Sequence, residues 1–161
     1  MQRKRKIIFI NQSAGYLIID VINAFAEDYD CVLYTGKLLP ISTPLRSDVA
    51  VKNFVTYNRD TAVKRIFTWV FFTVQVFFSL LRERKDSELF IVTNPPFTPY
   101  LGYVLKKWRK TKYHLLIYDV YPDALTQLGM VKQGGWLHRL WSRWNRKLFA
   151  AADTTFTLSQ G

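Results

Sequence analysis

The sequence predicts an α/β fold, a Rossmann-like parallel sheet with helices on both faces. Short apolar runs alternate with segments of helical periodicity along the whole chain. Most of those runs lack the in/out alternation of a half-exposed strand, as strands covered on both faces do. No internal repeat or linker interrupts the pattern, so the 161 residues form one domain, 1–161.

The first run, KIIFIN (6–11), ends in a polar turn, Ser13-Ala14-Gly15. GYLIIDVINAFAE follows, with Leu17, Val21, Ala24 and Phe25 at helical spacing. CVLYT (31–35) is a second strand and VAVKNFVTY (49–57) holds a third, with 36–48 as a proline-bearing loop between them. Asp60 or Thr61 caps a long helix running to about Arg84. ELFIVT (88–93) is a strand broken by Asn94-Pro95-Pro96. Thr98 before Pro99 reads as an N-cap with proline at the first helical position, for a helix to about Trp108. YHLLIYD (113–119) is a strand ending on a carboxylate, and Pro122-Asp123 opens a short helix closed by Gly129. A helix from Trp136 to about Ala151 and a last strand, TTFTLS (154–159), complete the pattern.

Composition narrows the function classes. With 49% hydrophobic and 22% charged residues the chain is no disordered tail. Lys and Arg total 23 against 12 Asp and Glu, a formal charge of +11 that predicts an anionic partner. Nucleic acid, a phosphorylated substrate and an anionic membrane all satisfy that charge. The aromatics sit in helical or core patterns rather than on a strand platform interleaved with Lys and Arg, which disfavours nucleic acid. One cysteine, Cys31, fits a reducing compartment and a buried position, and two histidines, His114 and His138, do not suggest a metal site. The basic, apolar N-terminus imitates a signal peptide, but Asn11, Gln12, Ser13 and Asp20 interrupt its apolar stretch, so the expectation is cytoplasmic.

In an open parallel sheet, ligands bind beyond the carboxyl ends of the strands. Three loops fall there. NQSAG leads into a helix whose amides suit a phosphate, with Gly15 allowing close approach and Tyr16 next to it. TNPPFTPYLG points the amides near Phe97 and Thr98 into the same crevice and makes Asn94, Phe97 and Thr98 candidates for acceptor binding, although two prolines would equally serve a stiff turn. YDVYPDALTQLG places Asp119 at a strand terminus and Asp123 at a helix start, with Tyr121 between them. A carboxylate at a strand end can orient a substrate hydroxyl or act as a base. Helix capping and a loop hydrogen bond are the structural alternatives.

IFTWVFFTVQVFFSLL (66–81) carries no charge and is flanked by basic residues. It falls short of the roughly 20 apolar residues of a bilayer span, and its polar residues favour a buried or membrane-dipped helix with an exposed apolar strip. Arg139, Arg143, Arg146 and Lys147 fall opposite the stripe Leu137, Leu140, Trp141, Trp144 and Leu148, which would serve as core. Lys106, Lys107, Arg109, Lys110 and Lys112 add a second basic cluster. With Trp136 at the interface, these residues form a footprint for an anionic membrane surface.

YDVYPDALTQLG, with IVTNPPFTPYLGYVL before it and NRKLFAAADTTFTLSQG after it, resembles the N-terminal half of family 4 glycosyltransferases. Bacterial enzymes that build surface polysaccharides on lipid carriers are the nearest likeness, over about residues 86–161. The resemblance implies one half of a GT-B fold, in which an N-terminal domain binds the acceptor and a C-terminal domain binds a nucleotide-sugar. It implies retention of anomeric configuration, no metal and no cofactor. Asp119 and Asp123 match acidic motif positions facing the cleft, and Gly15 matches the first glycine-bearing loop, although NQSAGY lacks the paired glycines common there. The expected acceptor is a polyprenyl-diphosphate-linked saccharide at the inner face of the cytoplasmic membrane. The chain stops at Gly161, near where the donor domain would begin. That half is expected as a missing C-terminal domain or a second subunit, and this chain alone is expected to be inactive. A non-catalytic membrane adaptor that recruits a partner transferase is the alternative, with a nucleic-acid-binding Rossmann-like domain behind it.

Overall fold

The computed structural model describes residues 4–40, 43–127, 129 and 131–158. Residues 1–3, 41–42, 128, 130 and 159–161 lie outside these, and with them the start of the basic N-terminus, part of the predicted loop 36–48, the residue before Gly129 and the end of the predicted last strand. Six parallel strands form the sheet: β1 (Lys6–Ile10), β3 (Asp30–Thr35), β5 (Ala50–Asn53), β6 (Glu88–Val92), β7 (Tyr113–Ile117) and β8 (Thr154–Thr157). Their spatial order, β5-β3-β1-β6-β7-β8, is the doubly wound order, with the direction of winding reversing between β1 and β6. Two short pieces, β2 (Ser13–Ala14) and β4 (Lys37–Leu38), pair separately. The predicted loop 36–48 therefore contains an edge of regular structure, fixed by Gly36 and Lys37 donating to the Gln12 carbonyl.

The two faces carry different loads. Helix α1 (Tyr16–Phe25) packs Ile18, Ile19 and Ile22 against Ile7, Phe9, Leu33 and Phe90 on one face. The other face takes α2 (Ala62–Leu81), α3 (Thr98–Arg109) and α5 (Trp136–Ala151), with Phe72, Val76, Leu101 and Leu105 against Ile8, Ile10, Tyr34 and Ile91. Short helix α4 (Asp123–Gln127) lies at the carboxyl edge. Helix α3 sits very close to the sheet. A Cβ on Gly102 would come within 2.6 Å of the Tyr113 ring, so only glycine allows this approach.

Thr61 caps α2, its hydroxyl accepting from the Lys64 amide. The polar residues interrupting its apolar run all have partners on the protein side. Gln75 accepts from the Val55 amide, Thr68 offers its carbonyl to Gln12, and Ser79 donates to the Tyr34 hydroxyl. By length and composition α2 alone among the described helices could cross a membrane. Here it lies on the sheet, burying Trp69, Phe72, Val76 and Leu80.

Just beyond α2, Glu83 accepts from Lys6 (2.7 Å), Lys52 (2.6 Å) and the Tyr34 hydroxyl (2.6 Å), binding the helix end to β1, β3 and β5. Burial alone would raise the Glu83 carboxyl, but these donors outweigh it and hold its pKa down to about 2. An unfolded Glu titrates near 4.5, so the cluster stabilises the fold fully above that pH and loses this contribution as pH falls toward 2. Glu83→Gln should cost about 2 kcal/mol at neutral pH, and much less near pH 2. Urea unfolding of both proteins at the two pH values measures this difference.

Candidate functional site

The carboxyl ends of β1, β6 and β7 face the same edge of the sheet, beside the β1/β6 switch point. Thr93 organises that edge. Its buried hydroxyl donates to the Asp119 carbonyl (3.0 Å) and accepts from the Tyr118 and Asp119 amides (3.1 and 3.3 Å). The loop after β7 is thereby fixed to the end of β6. Asn94 then donates to the Asp119 carboxylate at 3.4 Å and the Tyr121 hydroxyl donates to the same oxygen at 3.5 Å. Both contacts are long, so the carboxylate is oriented by neutral donors and keeps accepting capacity. Burial and then the Asp119 charge push the Tyr121 phenol well above its ordinary range, while Arg65 opposes them. Tyr121 is therefore a hydrogen-bond donor at any physiological pH.

A cavity of about 10 Å³, room for about one water, lies between Asp119, Tyr121 and Asn145.

A run of rings passes through Tyr121, the ring that reaches this carboxylate. Phe97 stacks on Trp141 (5.7 Å), Trp141 on Tyr121 (6.2 Å), Tyr121 meets Trp69 edge-on (6.0 Å), and Trp69 stacks on Tyr57 (5.8 Å). Buried Asn145 donates its amide to the Tyr121 carbonyl, holding the loop from α5.

The sequence-predicted residues divide clearly. Asn94, Asp119 and Tyr121 come together, and Phe97 joins them through Trp141. Asp123 is engaged elsewhere: His138 on α5 sits 2.8 Å from its carboxylate. Thr98 is a correction. It neither caps α3, whose N-cap is Phe97, nor faces the crevice, being fully buried with its hydroxyl shared between the Val92 and Pro95 carbonyls. Gly15 is the N-cap of α1 in extended backbone, with space for a Cβ, and Tyr16 stands 65% exposed beside it. Thr93, Asn145 and His138 were not singled out as site residues. Asn145 had a signal, since it lies four residues after Trp141 on an otherwise apolar stripe.

That stripe is a second correction. Among the described residues of α5 only Asn145 and Leu148 are buried, while Leu137, Leu140 and Trp144 stand about 40% open on a groove rather than closing a core. Of the predicted basic footprint, Lys107, Lys110, Arg139, Arg143, Arg146, Lys147 and Trp136 are exposed. Lys106 instead pairs with Asp153 (2.8 Å), and Arg109 donates to the carbonyls of Leu80 and Leu81, closing the end of α2. Cys31 is buried, and desolvation raises its thiol to about 11, so it offers no nucleophile.

The fold matches a crystal structure of the α,α-trehalose 6-phosphate synthase from Burkholderia multivorans at TM-score 0.55 and 13% identity, over 96% of this chain. The fold is GT-B-like. The likeness is one of fold, and this chain spans 39% of that synthase's length. No protein-family model and no curated protein matches the sequence.

The Thr93 hub gives a direct test of how the site is held. Thr93→Val leaves two amides and a carbonyl without their partner, which costs about 1–3 kcal/mol. Amide exchange at Tyr118 and Asp119 should accelerate relative to β1, and Thr93→Ser should restore protection.

Proposed function

We propose that this chain is the acceptor-side, membrane-facing domain of a retaining glycosyltransferase. It works with a donor-binding half that carries the nucleotide-sugar, as a further domain or a second subunit. The observation that carries the reading is Asp119, held at the end of β7 by Thr93, Asn94 and Tyr121 on the ligand-binding edge of a GT-B-like sheet. Its carboxylate accepts a hydrogen bond from the acceptor hydroxyl and positions it on the face of the sugar that the nucleotide leaves, so that the new glycosidic bond forms as the bond to the nucleotide's phosphate breaks and the hydroxyl proton passes to that departing phosphate. Asn94 and Tyr121 hold the carboxylate while this happens. The sugar comes from the other half, so this chain alone transfers nothing, and no metal or cofactor enters the scheme.

The acceptor is a saccharide on a polyprenyl diphosphate at the cytoplasmic leaflet. Three features support a lipid surface: the net charge of +11, the exposed cations of α3 and α5, and the outer face of α2. On that face Val63, Ile66, Phe67, Val70, Phe71, Val74 and Phe78 are all exposed, and Phe67 stacks on Phe71. A helix apolar on both sides needs a second apolar phase or partner for its outer side.

In the enzyme assembled with its donor half, Asp119→Asn should lower kcat by about 100-fold or more. Unchanged turnover, with membrane binding intact, would reduce the chain to a membrane adaptor. Cosedimentation with vesicles should require anionic lipid and weaken with salt. The double substitution Phe67→Ser, Phe71→Ser should reduce that binding at least tenfold with the fold retained, since both rings are exposed.

A further inference from the structure

A groove of about 510 Å³ runs between α2, α3 and α5, lined chiefly by Phe97, Tyr100, Val104, Leu140, Trp141 and Trp144. Its volume is that of a small-molecule site, about 300–1,000 Å³. Its wall is almost wholly apolar, which suits a hydrocarbon and offers a peptide backbone little to pair with. Two of its rings, Phe97 and Trp141, also belong to the run of rings that leads to Tyr121, whose hydroxyl donates to the Asp119 carboxylate, so Trp141 and Tyr121 link the groove wall to that carboxylate.

The junction is rich in donors. The indole N–H groups of Trp69 and Trp141 and the Nε of Arg65 are buried without an acceptor among the described residues. Trp69 is 2% exposed. All three lie in or beside the ring run, Arg65 close enough for its charge to act on Tyr121. Trp and Arg are donors only, so their complement is an acceptor-only group, and an anionic oxygen fits best. On the rim, the Lys147 ammonium sits 4.7 Å from the Trp144 ring centroid.

We propose that the groove binds the hydrocarbon chain of an anionic lipid, with its phosphate at the Arg65, Trp69 and Trp141 end, next to Asp119. This rests on the acceptor reading and assigns the acceptor's chain a place on the protein. The chain leaves the bilayer along the exposed side of α2 and enters between α3 and α5, carrying its head group to the catalytic edge.

Calorimetry of the intact chain with n-alkyl phosphates from octyl to dodecyl, below their micellar concentrations, tests this. Each methylene that enters should tighten binding about fourfold, with a plateau once the groove is full. Alkyl maltosides of equal length should bind at least tenfold more weakly. Leu140→Glu, at a half-exposed position, should abolish the chain-length dependence without altering the circular dichroism. Arg65→Gln should narrow the gap between phosphate and maltoside.

Absence of chain-length dependence, or dependence unchanged in Leu140→Glu, overturns the proposal. So does a dimer, seen in sedimentation, that Leu140→Glu dissociates while alkyl phosphates fail to bind, because the groove then belongs to a second copy. Transfer that depends on Asp119 and persists in Leu140→Glu removes the groove and leaves the acceptor reading. Groove binding with no role for Asp119 removes the acceptor reading and leaves a lipid site.

Discussion

The carboxyl edge of this domain depends on one interaction, the run of rings from Phe97 through Trp141, Tyr121 and Trp69 to Tyr57. Each ring comes from a different part of the chain: the turn before α3, α5, the loop after β7, α2, and the crossover after β5. Offset and edge-on contacts of this kind add about 0.5–1.5 kcal/mol per pair beyond burial. Their larger effect is geometric. They fix Tyr121 above Asp119 from both sides, while Thr93 and Asn145 fix the backbone beneath. The carboxylate is positioned by packing and neutral hydrogen bonds, with no cation within ion-pair distance among the described residues. Such a carboxylate keeps free accepting capacity.

The same packing explains why α2 is apolar on two sides. Its inner side completes the core with Phe72, Val76 and Leu80, and its polar side chains satisfy the Val55 amide in the crossover after β5 and the Tyr34 hydroxyl. Nothing in the described fold covers the outer side. Glu83, pinned by Lys6, Lys52 and Tyr34, keeps the far end of the helix on the sheet. A helix anchored this way presents its outer face without leaving the protein, which suits a domain that rests on a lipid surface.

The sheet and its helices were readable because strands covered on both faces must be near-continuous apolar runs, as in KIIFI, CVLYT and ELFIV. Their alternation with helices implied the parallel order. The place of Asp119 just beyond β7 was readable because the apolar run YHLLI must end where polar residues begin. The predicted strand 49–57 shortened to four residues because Phe54 to Tyr57 turn over the sheet edge, held by Gln12 and Gln75. Thr98 misled because its pairing with proline imitates a cap, whereas its hydroxyl closes the turn from within. The α5 stripe misled because helical periodicity shows which residues share a face but not what that face meets. Thr93 and His138 act through contacts distant in sequence, which no local pattern encodes.

In a chain that works at a membrane, the α2, α3 and α5 side and the adjoining carboxyl edge face a lipid phase. Hydrogen–deuterium exchange of the intact chain, with and without anionic vesicles, tests it most directly. Slower exchange in 62–81, 94–109 and 136–151, with α1 and β5 unchanged, is the predicted result. Protection confined to the α1 face, or identical exchange with and without anionic vesicles, would contradict it.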